Sequence, residues 1–277
     1  MSRTMIQAAV TMNQLQSKLD LIGNNMANSE TTGYKNRNAD FSSLLFQQID
    51  NLKDGANAVG RLTPDGVRIG SGAKLGTPSF NLNQGSITET GRTLDAALLR
   101  ENHFFQVQVT ENGIVETQYT RDGAFYLSPI NNNQDVMLTD KNGNPIIGEN
   151  GSIVIPAGFD SIDIHPNGQV SVKRGDQTEI AGNITVVEAV RPRLLEATGN
   201  NSFRLPANMA ELGYQPFEVM QGVEPGTEII KNGALERSNV DISKEMTDLI
   251  MAQRSYQFNA RTISMSDQMM GLINQVR

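Results

Sequence analysis

The carboxyl-terminal segment carries the pattern that decides the fold, and from residue 242 to residue 276 it reads ISKEMTDLIMAQRSYQFNARTISMSDQMMGLINQV. A stripe recurs along it at alternating steps of four and three residues, the spacing at which side chains share one face of an α-helix. The stripe consists of Ile242, Met246, Leu249, Gln253, Tyr256, Ala260, Ile263, Asp267 and Met270, widened by Ile250, Ile273 and Val276. It predicts one long helix of roughly 50 Å.

The amino-terminal segment repeats this signal on a shorter scale. Its stripe alternates steps of three and four residues and consists of Met5, Ala8, Met12, Leu15, Leu19, Ile22 and Met26. Helix-breaking residues are rare at both ends, because all 10 prolines and all but two of the 25 glycines lie within residues 33–233. We therefore predict a helix from about residue 4 to residue 27.

Between the ends, apolar and polar residues alternate and Gly-containing turns recur, which is typical of antiparallel strands. Phe105, Val107 and Val109 form such an alternation, and a turn ending at Gly113 leads into a second run at residues 114–120, so a β-hairpin is predicted. The fold class is predicted to be α+β, with terminal helices that pack as a coiled-coil-like pair and a central antiparallel, turn-rich β domain. The sequence admits a short helix over Phe41 to Leu52.

Composition excludes several classes of function. The 277 residues include 23 Lys and Arg against 30 Asp and Glu, a net charge of −7, so the chain lacks the basic field that nucleic-acid binding requires. It contains no cysteine, which excludes disulfides, thiolate nucleophiles and zinc sites built on cysteine. No segment has the roughly 20 apolar residues of a transmembrane span, and residues 1–19 have no apolar core of signal-peptide length.

Charge is distributed unevenly along the chain. Residues 1–30 and residues 240–277 each sum to zero, so the whole charge of −7 lies in residues 31–239. The same two end segments hold 9 of the 12 methionines and carry Asn, Gln, Ser and Thr on their outer faces. A lone solvated helix usually carries charges there, so these helices are predicted to pack on several sides.

Candidate catalytic and metal-binding groups are few. The two histidines are His103 and His165, and Asp163 lies close enough to His165 to suggest a metal pair or an oriented base, although a hairpin-edge histidine is the favoured interpretation. The loop at residues 140–144 resembles a calcium loop only faintly, because it has too few carboxylates and no downstream Glu. No Walker-type phosphate motif is present. We predict no enzymatic activity, catalytic residue, metal site or cofactor.

Periodicity leaves the partner of the helices open. The two helices of one chain could satisfy each other as an intramolecular coiled coil. Alternatively, helices from several copies could pack side by side into a tube, since a repeated heterologous contact produces a ring or a fibre.

Two motifs resemble those of the bacterial flagellar rod and hook proteins. Residues 22–35 read IGNNMANSETTGYK, similar to the family signature in which a helix ends in Asn-Asn, an apolar residue, Ala and Asn before Thr-Thr-Gly, an aromatic residue and Lys. Residues 235–241, LERSNVD, and residues 252–256, AQRSY, resemble the closing motif of the same family. The matching motif residues are Asn24, Asn25, Ala27, Asn28, Thr32, Gly33, Tyr34, Ser238, Asn239, Val240, Gln253, Arg254 and Tyr256.

Central stretches extend the resemblance over nearly the whole chain. Those similar to distal-rod members of the family are, in order, GVRIGSG at 66–72, QGSITETG at 84–91, LDAA at 94–97 and YTRDGAF at 119–125. Two positions depart from the family pattern. Residues 101–103 are Glu-Asn-His where the family usually has Gly-x-Gly, and Ser255 replaces the common Ala.

The resemblance implies a structural, axial subunit of the flagellar basal body, closest to the distal rod protein, in the drive shaft between rotor and hook. It implies export of the unfolded chain through the flagellar type III apparatus, an extracytoplasmic location, and helical assembly with copies of itself and with other rod and hook subunits. In this family the terminal helices form an inner layer around the export channel, with the β domain outside. The assembly-helix residues expected here are Met5, Ala8, Met12, Leu15, Leu19, Ile22, Met26, Ile242, Met246, Leu249, Tyr256, Ile263 and Met270.

The same resemblance divides the chain into four parts. These are an amino-terminal assembly helix with the rod signature (1–35), an extended rod-type linker segment (36–72), a β-rich outer domain (73–232) and a carboxyl-terminal assembly helix (233–277). Ordering an isolated end costs about 1 to 2 kcal/mol of backbone entropy per residue, so we expect the ends to stay mobile until neighbouring subunits pack on them. The linker segment is expected to brace adjacent copies.

Alternative functions stay open. A proximal rod or short hook protein shares the end motifs, although the linker segment and the absence of a large inserted domain favour the distal rod. A secreted, self-associating adhesin would use Arg174, Gly175 and Asp176, a tripeptide that receptors bind, although a β-turn is the favoured interpretation there. A hydrolase is the third and least favoured function, because the sequence pairs no nucleophile with a base.

Overall fold

The computed structural model describes residues 3–43, 46–49, 67–70, 73–111, 113–209, 211, 213–223 and 228–275. The chain forms two compact units. The terminal unit comprises Met1–Ala27, Arg37–Ser79 and Asp241–Arg277, and the central unit comprises Asn28–Asn36 and Phe80–Val240. The α-helices among these described residues are α1 (Arg3–Ala27), α2 (Pro216–Val219) and α3 (Ile242–Gln275).

Helices α1 and α3 confirm the two helices predicted at the ends of the chain. They pack against each other in a small apolar cluster, and its members are Leu15, Ile22, Ala252, Leu19, Met26, Leu249 and Tyr256. Asp241 caps α3, because its Oδ1 accepts hydrogen bonds from the backbone N–H groups of Ser243 (2.9 Å) and Lys244 (3.2 Å). The coiled-coil geometry of the helix pair stays a prediction.

Short strands accompany these helices in the terminal unit, namely β1 (Arg37–Asn38), β2 (Phe41–Ser43), β3 (Phe46–Ile49), β4 (Val67–Gly70) and β5 (Ala73–Leu75). Strand β2 pairs with β5 and β3 pairs with β4, both antiparallel. The short helix that the sequence admitted over residues 41–52 is therefore wrong for residues 41–43 and 46–49, and the rest of that segment lies outside the described residues. Long-range pairing with β-branched Val67 and Ile69 decides the structure of β3, and a local pattern does not reveal such a partner.

The remaining strands are β6 (Ser79–Phe80), β7 (Ile87–Glu89), β8 (Ala96–Leu98), β9 (His103–Glu111), β10 (Ile114–Thr120), β11 (Tyr126–Ile130), β12 (Asp135–Thr139), β13 (Ile147–Gly148), β14 (Gly151–Ser152), β15 (Val154–Pro156), β16 (Ser161–Ile164), β17 (Gln169–Arg174), β18 (Gln177–Asn183), β19 (Val186–Ala189), β20 (Glu196–Gly199), β21 (Ser202–Arg204), β22 (Met220–Gly222), β23 (Ile230–Asn232) and β24 (Ala234–Glu236). Strands β7 to β24 lie in the central unit and pair antiparallel, which confirms the predicted α+β class with a central antiparallel domain.

The largest sheet of the central unit has the strand order β20-β21-β10-β9-β19-β22. The predicted hairpin is confirmed, since β9 and β10 pair with Phe105 opposite Thr120 and Glu111 opposite Ile114. Two three-stranded sheets, β11-β12-β15 and β16-β17-β18, complete the unit together with smaller pairs, among them β24 with β7 and β23 with β8.

Two apolar cores lie on the two faces of strand β9. Consecutive side chains of a strand point to opposite faces, so the fully buried Phe104 and Phe105 enter different cores. Phe105 packs edge-on against Phe125, with ring centroids 5.1 Å apart, and Phe104 packs edge-on against Phe203 at 5.5 Å. The central unit is therefore a conventional folded domain with its own interior.

Candidate assembly site

The face of α1 that was predicted from its stripe points towards α3. Ala8, Leu15 and Ile22 are buried, and the other four stripe residues, Met5, Met12, Leu19 and Met26, are partly buried. Gln14, beside this stripe, accepts a hydrogen bond from the backbone N–H of Leu75 at 2.8 Å and so attaches β5 to the helix.

The stripe of α3 divides between two environments. Leu249, Tyr256 and Ile263 are partly buried, whereas Ile242, Met246 and Met270 are exposed by 45%, 50% and 39% of their surface. Gln253 and Asp267 are exposed as well. The sequence pattern therefore combined residues that face α1 with residues that face outward.

The residues of α3 that are buried most deeply are Glu245, Ala252 and Ser266, and none of the three belongs to the stripe predicted from the sequence. They are spaced by seven and fourteen residues, so they share one face with Leu249, Tyr256 and Ile263. Small side chains let two helices approach closely, but a search for large apolar residues passes over them. The heptad spacing of Glu245, Ala252 and Ser266 is the signal that could have found this face.

Asn25 of the rod-like signature joins three segments of the terminal unit. The residue is fully buried, its Oδ1 accepts the backbone N–H of Arg37 (3.0 Å), and its Nδ2 donates to the Arg37 carbonyl (2.9 Å). Nδ2 also donates to Oε1 of Glu245 on α3 at 3.1 Å. Burial raises the pKa of the Glu245 carboxyl, and the hydrogen bond from Asn25 opposes this shift.

A second apolar face of α3 is exposed. Met251, Phe258, Met265 and Leu272 are spaced by seven residues and are exposed by 54%, 69%, 54% and 63%. Residues seven apart lie almost above one another on a helix, so these four side chains line up along one side of α3, with the exposed Arg254 and Arg261 on the turns between them, and we call this line the α3 ridge. Met251 directly precedes Ala252, which places the ridge about 100° around the helix from the face that packs on α1.

The central unit holds the rest of the signature around a buried ion cluster. Lys35 Nζ lies 2.7 Å from Glu236 Oε1, and Arg121 Nη2 lies 2.6 Å from Glu236 Oε2, with all three side chains at most 1% exposed. Arg121 Nε also donates to Glu236 Oε2 at 2.8 Å, and the backbone N–H of Gly85 donates to Glu236 Oε1 at 2.8 Å. Glu236 is therefore the carboxylate on which two buried cations depend.

The ion cluster carries more positive than negative charge. Burial, followed by the nearby charge of Arg121, lowers the pKa of Lys35 to about 8 despite the opposing attraction of Glu236. Arg121 uses its Nη1 to donate to three carbonyl oxygens, those of Arg100 (2.9 Å), Glu101 (2.5 Å) and His103 (2.7 Å). The same guanidinium therefore fixes the turn at residues 100–103, where the sequence departs from the Gly-x-Gly of the family.

Thr32 and Gly33 pack tightly in the central unit. Thr32 Oγ1 donates to Asp122 Oδ1 at 2.7 Å, and Asn201 Nδ2 donates to the Thr32 carbonyl at 2.8 Å. Gly33 has φ +64, and a Cβ built there would lie 2.6 Å from the carbonyl carbon and oxygen of Arg121. The position therefore requires glycine both for its backbone conformation and for space.

The closing motif contacts the signature inside the same unit. Asn239 Oδ1 accepts the backbone N–H of Asn36 (2.8 Å), and its Nδ2 donates to the carbonyls of Asn81 (2.8 Å) and Asn83 (2.9 Å). Tyr34 is buried, and its carbonyl accepts the backbone N–H of Asn239 at 3.3 Å. Ser238 Oγ accepts the N–H of Val240 at 3.4 Å.

Other motif residues occupy more open positions. Asn24, Ala27, Gln253 and Arg254 are exposed, and Asn28 is partly buried with its Oδ1 accepting from Thr31 Oγ1 at 3.2 Å. The exposed members therefore lie on the outer surface of the terminal unit rather than in its interior.

The remaining candidate sites have local structural roles. His165 Nε2 lies 2.8 Å from Ser171 Oγ, and Asp140 Oδ1 accepts two backbone N–H groups of its own turn, those of Asn142 and Asn144, each at 2.8 Å. Arg174 donates to Glu179 Oε2 (3.2 Å) and to the carbonyl of Pro156 (2.6 Å). Among the described residues, no group of three or more His, Asp or Glu side chains is arranged to hold a metal ion, and no helix there is long and apolar enough to cross a membrane.

Three family models match successive parts of the chain. They are described as flagella basal body rod protein (residues 7–35), flagellar hook protein FlgE/F/G D1 domain (residues 99–172) and flagellar basal body rod FlgEFG protein C-terminal (residues 231–276). The first two include residues of the signature and the ion cluster, and the third includes the closing motif and α3.

Relatives match over almost the whole length. The chain is 43% identical to the flagellar hook-basal body complex protein FlhP of Bacillus subtilis, over 100% of both chains. It is 33% identical to the flagellar basal-body rod protein FlgG of Agrobacterium fabrum, over 99% of this chain and 98% of the relative, and 31% identical to FlgG of Bacillus subtilis, over 98% and 97%. The chain therefore belongs to the flagellar basal-body rod and hook protein family, and it is a structural rod subunit of the flagellar basal body.

Proposed function

We propose that this subunit assembles helically, with copies of itself, into the distal part of the rod, the drive shaft between rotor and hook. The α3 ridge carries the proposal, because a single chain leaves these large apolar side chains exposed on one line. Large apolar side chains that a folded protein leaves exposed together on one side of a helix commonly mark an interaction site. Burying each such side chain contributes about 1.5 to 3 kcal/mol, which is enough for several of them to drive association.

Charge supports packing between copies. The end segments, residues 1–30 and residues 240–277, are each neutral, whereas residues 31–239 carry the net charge of −7. Neutral helices pack side by side without the repulsion that like charges impose in an interface. The end segments 1–35 and 233–277 are therefore the proposed assembly segments. Residues 36–72, of which 44–45, 50–66 and 71–72 lie outside the described residues, are proposed to brace adjacent copies.

The proposed contacts use two faces of the helix pair. Leu15 and Ile22 of α1 pack with Leu249 and Tyr256 of α3 within one chain, and Ala8 of α1 is buried as well. Ile242, Met246 and Met270, which the stripe predicted and which are exposed, join the α3 ridge as contacts with neighbouring copies.

Membership of the rod and hook family supports the proposed partners and location. Neighbouring rod and hook subunits are the proposed contacts above and below, and the flagellar type III apparatus is the proposed route of export to an extracytoplasmic position in the basal body. The proposed role is structural, without enzymatic activity or a cofactor. Similarity of four central stretches to distal-rod members favours the distal position over a proximal rod or short hook protein.

Paired substitutions test the role of the ridge. We expect Phe258→Ser combined with Met265→Ser to abolish swimming in a strain that lacks the chromosomal gene, because two polar side chains would replace the centre of the interface. The matched control is Phe217→Ser combined with Ile180→Ser, at exposed apolar residues of the central unit with 66% exposure each. Swimming of both strains at the wild-type rate, with equal subunit levels, would contradict the proposed surface.

A further inference from the structure

The exposed methionines of this protein are concentrated on one helix. All five methionines of α3 are exposed, with values of 50% for Met246, 54% for Met251, 54% for Met265, 59% for Met269 and 39% for Met270. The other methionines whose side chains the structure describes are buried or partly buried, and Met209 and Met220 in the smaller core are exposed by only 9% and 7%. Solvent-borne reagents therefore reach the thioethers of α3 first.

The chemistry of an exposed thioether defines what such a reagent could be. A peroxide transfers one oxygen atom to the methionine sulfur as its O–O bond breaks, and with hydrogen peroxide the other oxygen leaves as water. The sulfur is oxidised by two electrons and the peroxide is reduced by two. The product, methionine sulfoxide, is polar, and it disrupts methionine-rich interfaces until a reductase restores the thioether.

We propose that the α3 methionines are a peroxide-sensitive modification site of the unassembled subunit, and that sulfoxide formed there blocks assembly. This inference rests on the proposed function, because it requires that α3 enters an interface. Met251 and Met265 lie on the α3 ridge itself, and Met269 lies one helical turn beyond Met265. Burying an unpartnered sulfoxide oxygen among apolar side chains is unfavourable, so one oxygen atom at these positions opposes packing.

Two features of the chain increase this sensitivity. The protein contains no cysteine, so no thiolate competes with the thioethers for oxidant. All five methionines of α3 are exposed in the single chain, and in a completed interface the same side chains would be covered. Oxidation is therefore directed at the subunit before assembly rather than after it.

Peptide mapping after mild oxidation is the first test. The purified full chain is treated with dilute hydrogen peroxide, and the gain of one oxygen atom is followed at each methionine by mass spectrometry. We expect oxidation at Met251, Met265 and Met269 to be at least about tenfold faster than at Met209 and Met220. Equal rates at the two groups would overturn the inference.

A pair of variants tests the consequence in cells. One variant carries Met→Gln at residues 251, 265 and 269, which introduces a polar amide of similar length, and the other carries Met→Leu at the same positions. Hooks per cell are counted in a strain that lacks the chromosomal gene, at matched subunit levels. We expect the Gln variant to produce at least about tenfold fewer hooks than the Leu variant, because only the Gln variant places polar atoms in the interface.

The outcomes separate this inference from the proposed function. Equal hook counts in the Gln and Leu variants, at whatever level, would overturn the oxidation site. The proposed function is tested without either variant. If the strain that lacks the chromosomal gene still forms hooks, the proposed function is wrong.

Discussion

Lys35 and Glu236 are 201 residues apart in the chain, yet their side chains form a buried ion pair with 2.7 Å between Nζ and Oε1. Lys35 ends the signature that resembles the rod and hook proteins, and Glu236 lies in the closing motif at the other end of the chain. Arg121, from the central stretch YTRDGAF, binds the same carboxylate. Three stretches that resemble the family separately thus meet at one point inside the central unit.

The ion cluster predicts unequal effects of removing its members. Glu236→Gln would leave Lys35 and Arg121 buried without a counterion, and we expect it to lower the free energy of unfolding by about 3 to 5 kcal/mol. Lys35→Met would leave Glu236 bound by Arg121 and Gly85, and the Asn83 carbonyl would still accept from Asn239, so we expect a change within about 1 kcal/mol. Urea unfolding of the purified full-length variants measures both, and equal losses would contradict this account of the cluster.

Substitution of Gly33 is expected to lower the free energy of unfolding by more than its backbone conformation alone explains. Gly33→Ala would force a Cβ to 2.6 Å from backbone atoms of Arg121, in addition to the strain of φ +64. The matched control is Gly143→Ala, because Gly143 has φ +83 and a Cβ added there would meet no heavy atom within 4 Å beyond its chain neighbours. We expect the control to cost about 1 to 2 kcal/mol and Gly33→Ala clearly more. Equal losses of unfolding free energy in the two variants would contradict the steric explanation, because the loop would then move aside without cost.

The central unit should lose stability in mild acid because of His103. Both ring nitrogens of this buried histidine lack a hydrogen-bond partner among the described residues, and burial lowers its pKa from the ordinary value of 6.5. Arg100 and Arg121 lower it further, while Glu188, its cross-strand neighbour on β19, acts in the opposite direction. The unfolded chain therefore binds a proton below about pH 6.5 that the folded chain does not bind, so stability falls as the pH decreases through this range.

His103→Leu removes this titration and is the control for it. Urea midpoints at pH 7.5 and pH 5.5, followed by tyrosine fluorescence, should differ more for the wild type than for the variant. If the urea midpoint of the variant changed with pH as much as that of the wild type, the acid sensitivity would come from groups other than His103 and the prediction would be wrong. Glu245, whose pKa is raised by burial in the terminal unit, acts in the opposite sense, because its folded form binds the extra proton.

The isolated subunit should be cut first in its terminal helices. The apolar cluster between α1 and α3 contains few buried residues, whereas the central unit has two cores, so α1 and α3 should open locally at lower free energy. Brief digestion with trypsin is expected to cleave at Lys18, Arg254 and Arg261 before sites of the central unit. A monomer in which residues 1–30 resist digestion as long as the central unit does would contradict coupled folding and assembly.

Sequence patterns predicted the helices and strands that are determined by residues close together in the chain. The heptad stripes located α1 and α3, and the alternation around Phe105 located the β9–β10 hairpin. The pairing of β3 with β4 was missed because its partner lies beyond any local window. The face of α3 that contacts α1 was predicted only in part, for another reason. Ala252 and Ser266 are buried there, but they are small and give no strong hydrophobic signal in the sequence.

The candidate site was predictable only in part. The signature and closing motifs were found by resemblance, but the roles of Lys35, Arg121 and Glu236 were not, because each is charged and would ordinarily be assigned to the surface. Only the fold shows that Lys35 and Arg121 share the carboxylate of Glu236 in the interior. The α3 ridge was not predicted either. A helix with two apolar faces has apolar residues around much of its circumference, so the sequence pattern does not separate one face from the other.

Deletion of the gene, followed by electron microscopy of extracted basal bodies beside a complemented strain, tests the central claim most directly. A distal-rod subunit predicts shortened rods without hooks in the deletion strain and full-length rods with hooks after complementation. Intact rods and hooks in the deletion strain, with swimming preserved, would contradict the proposed role.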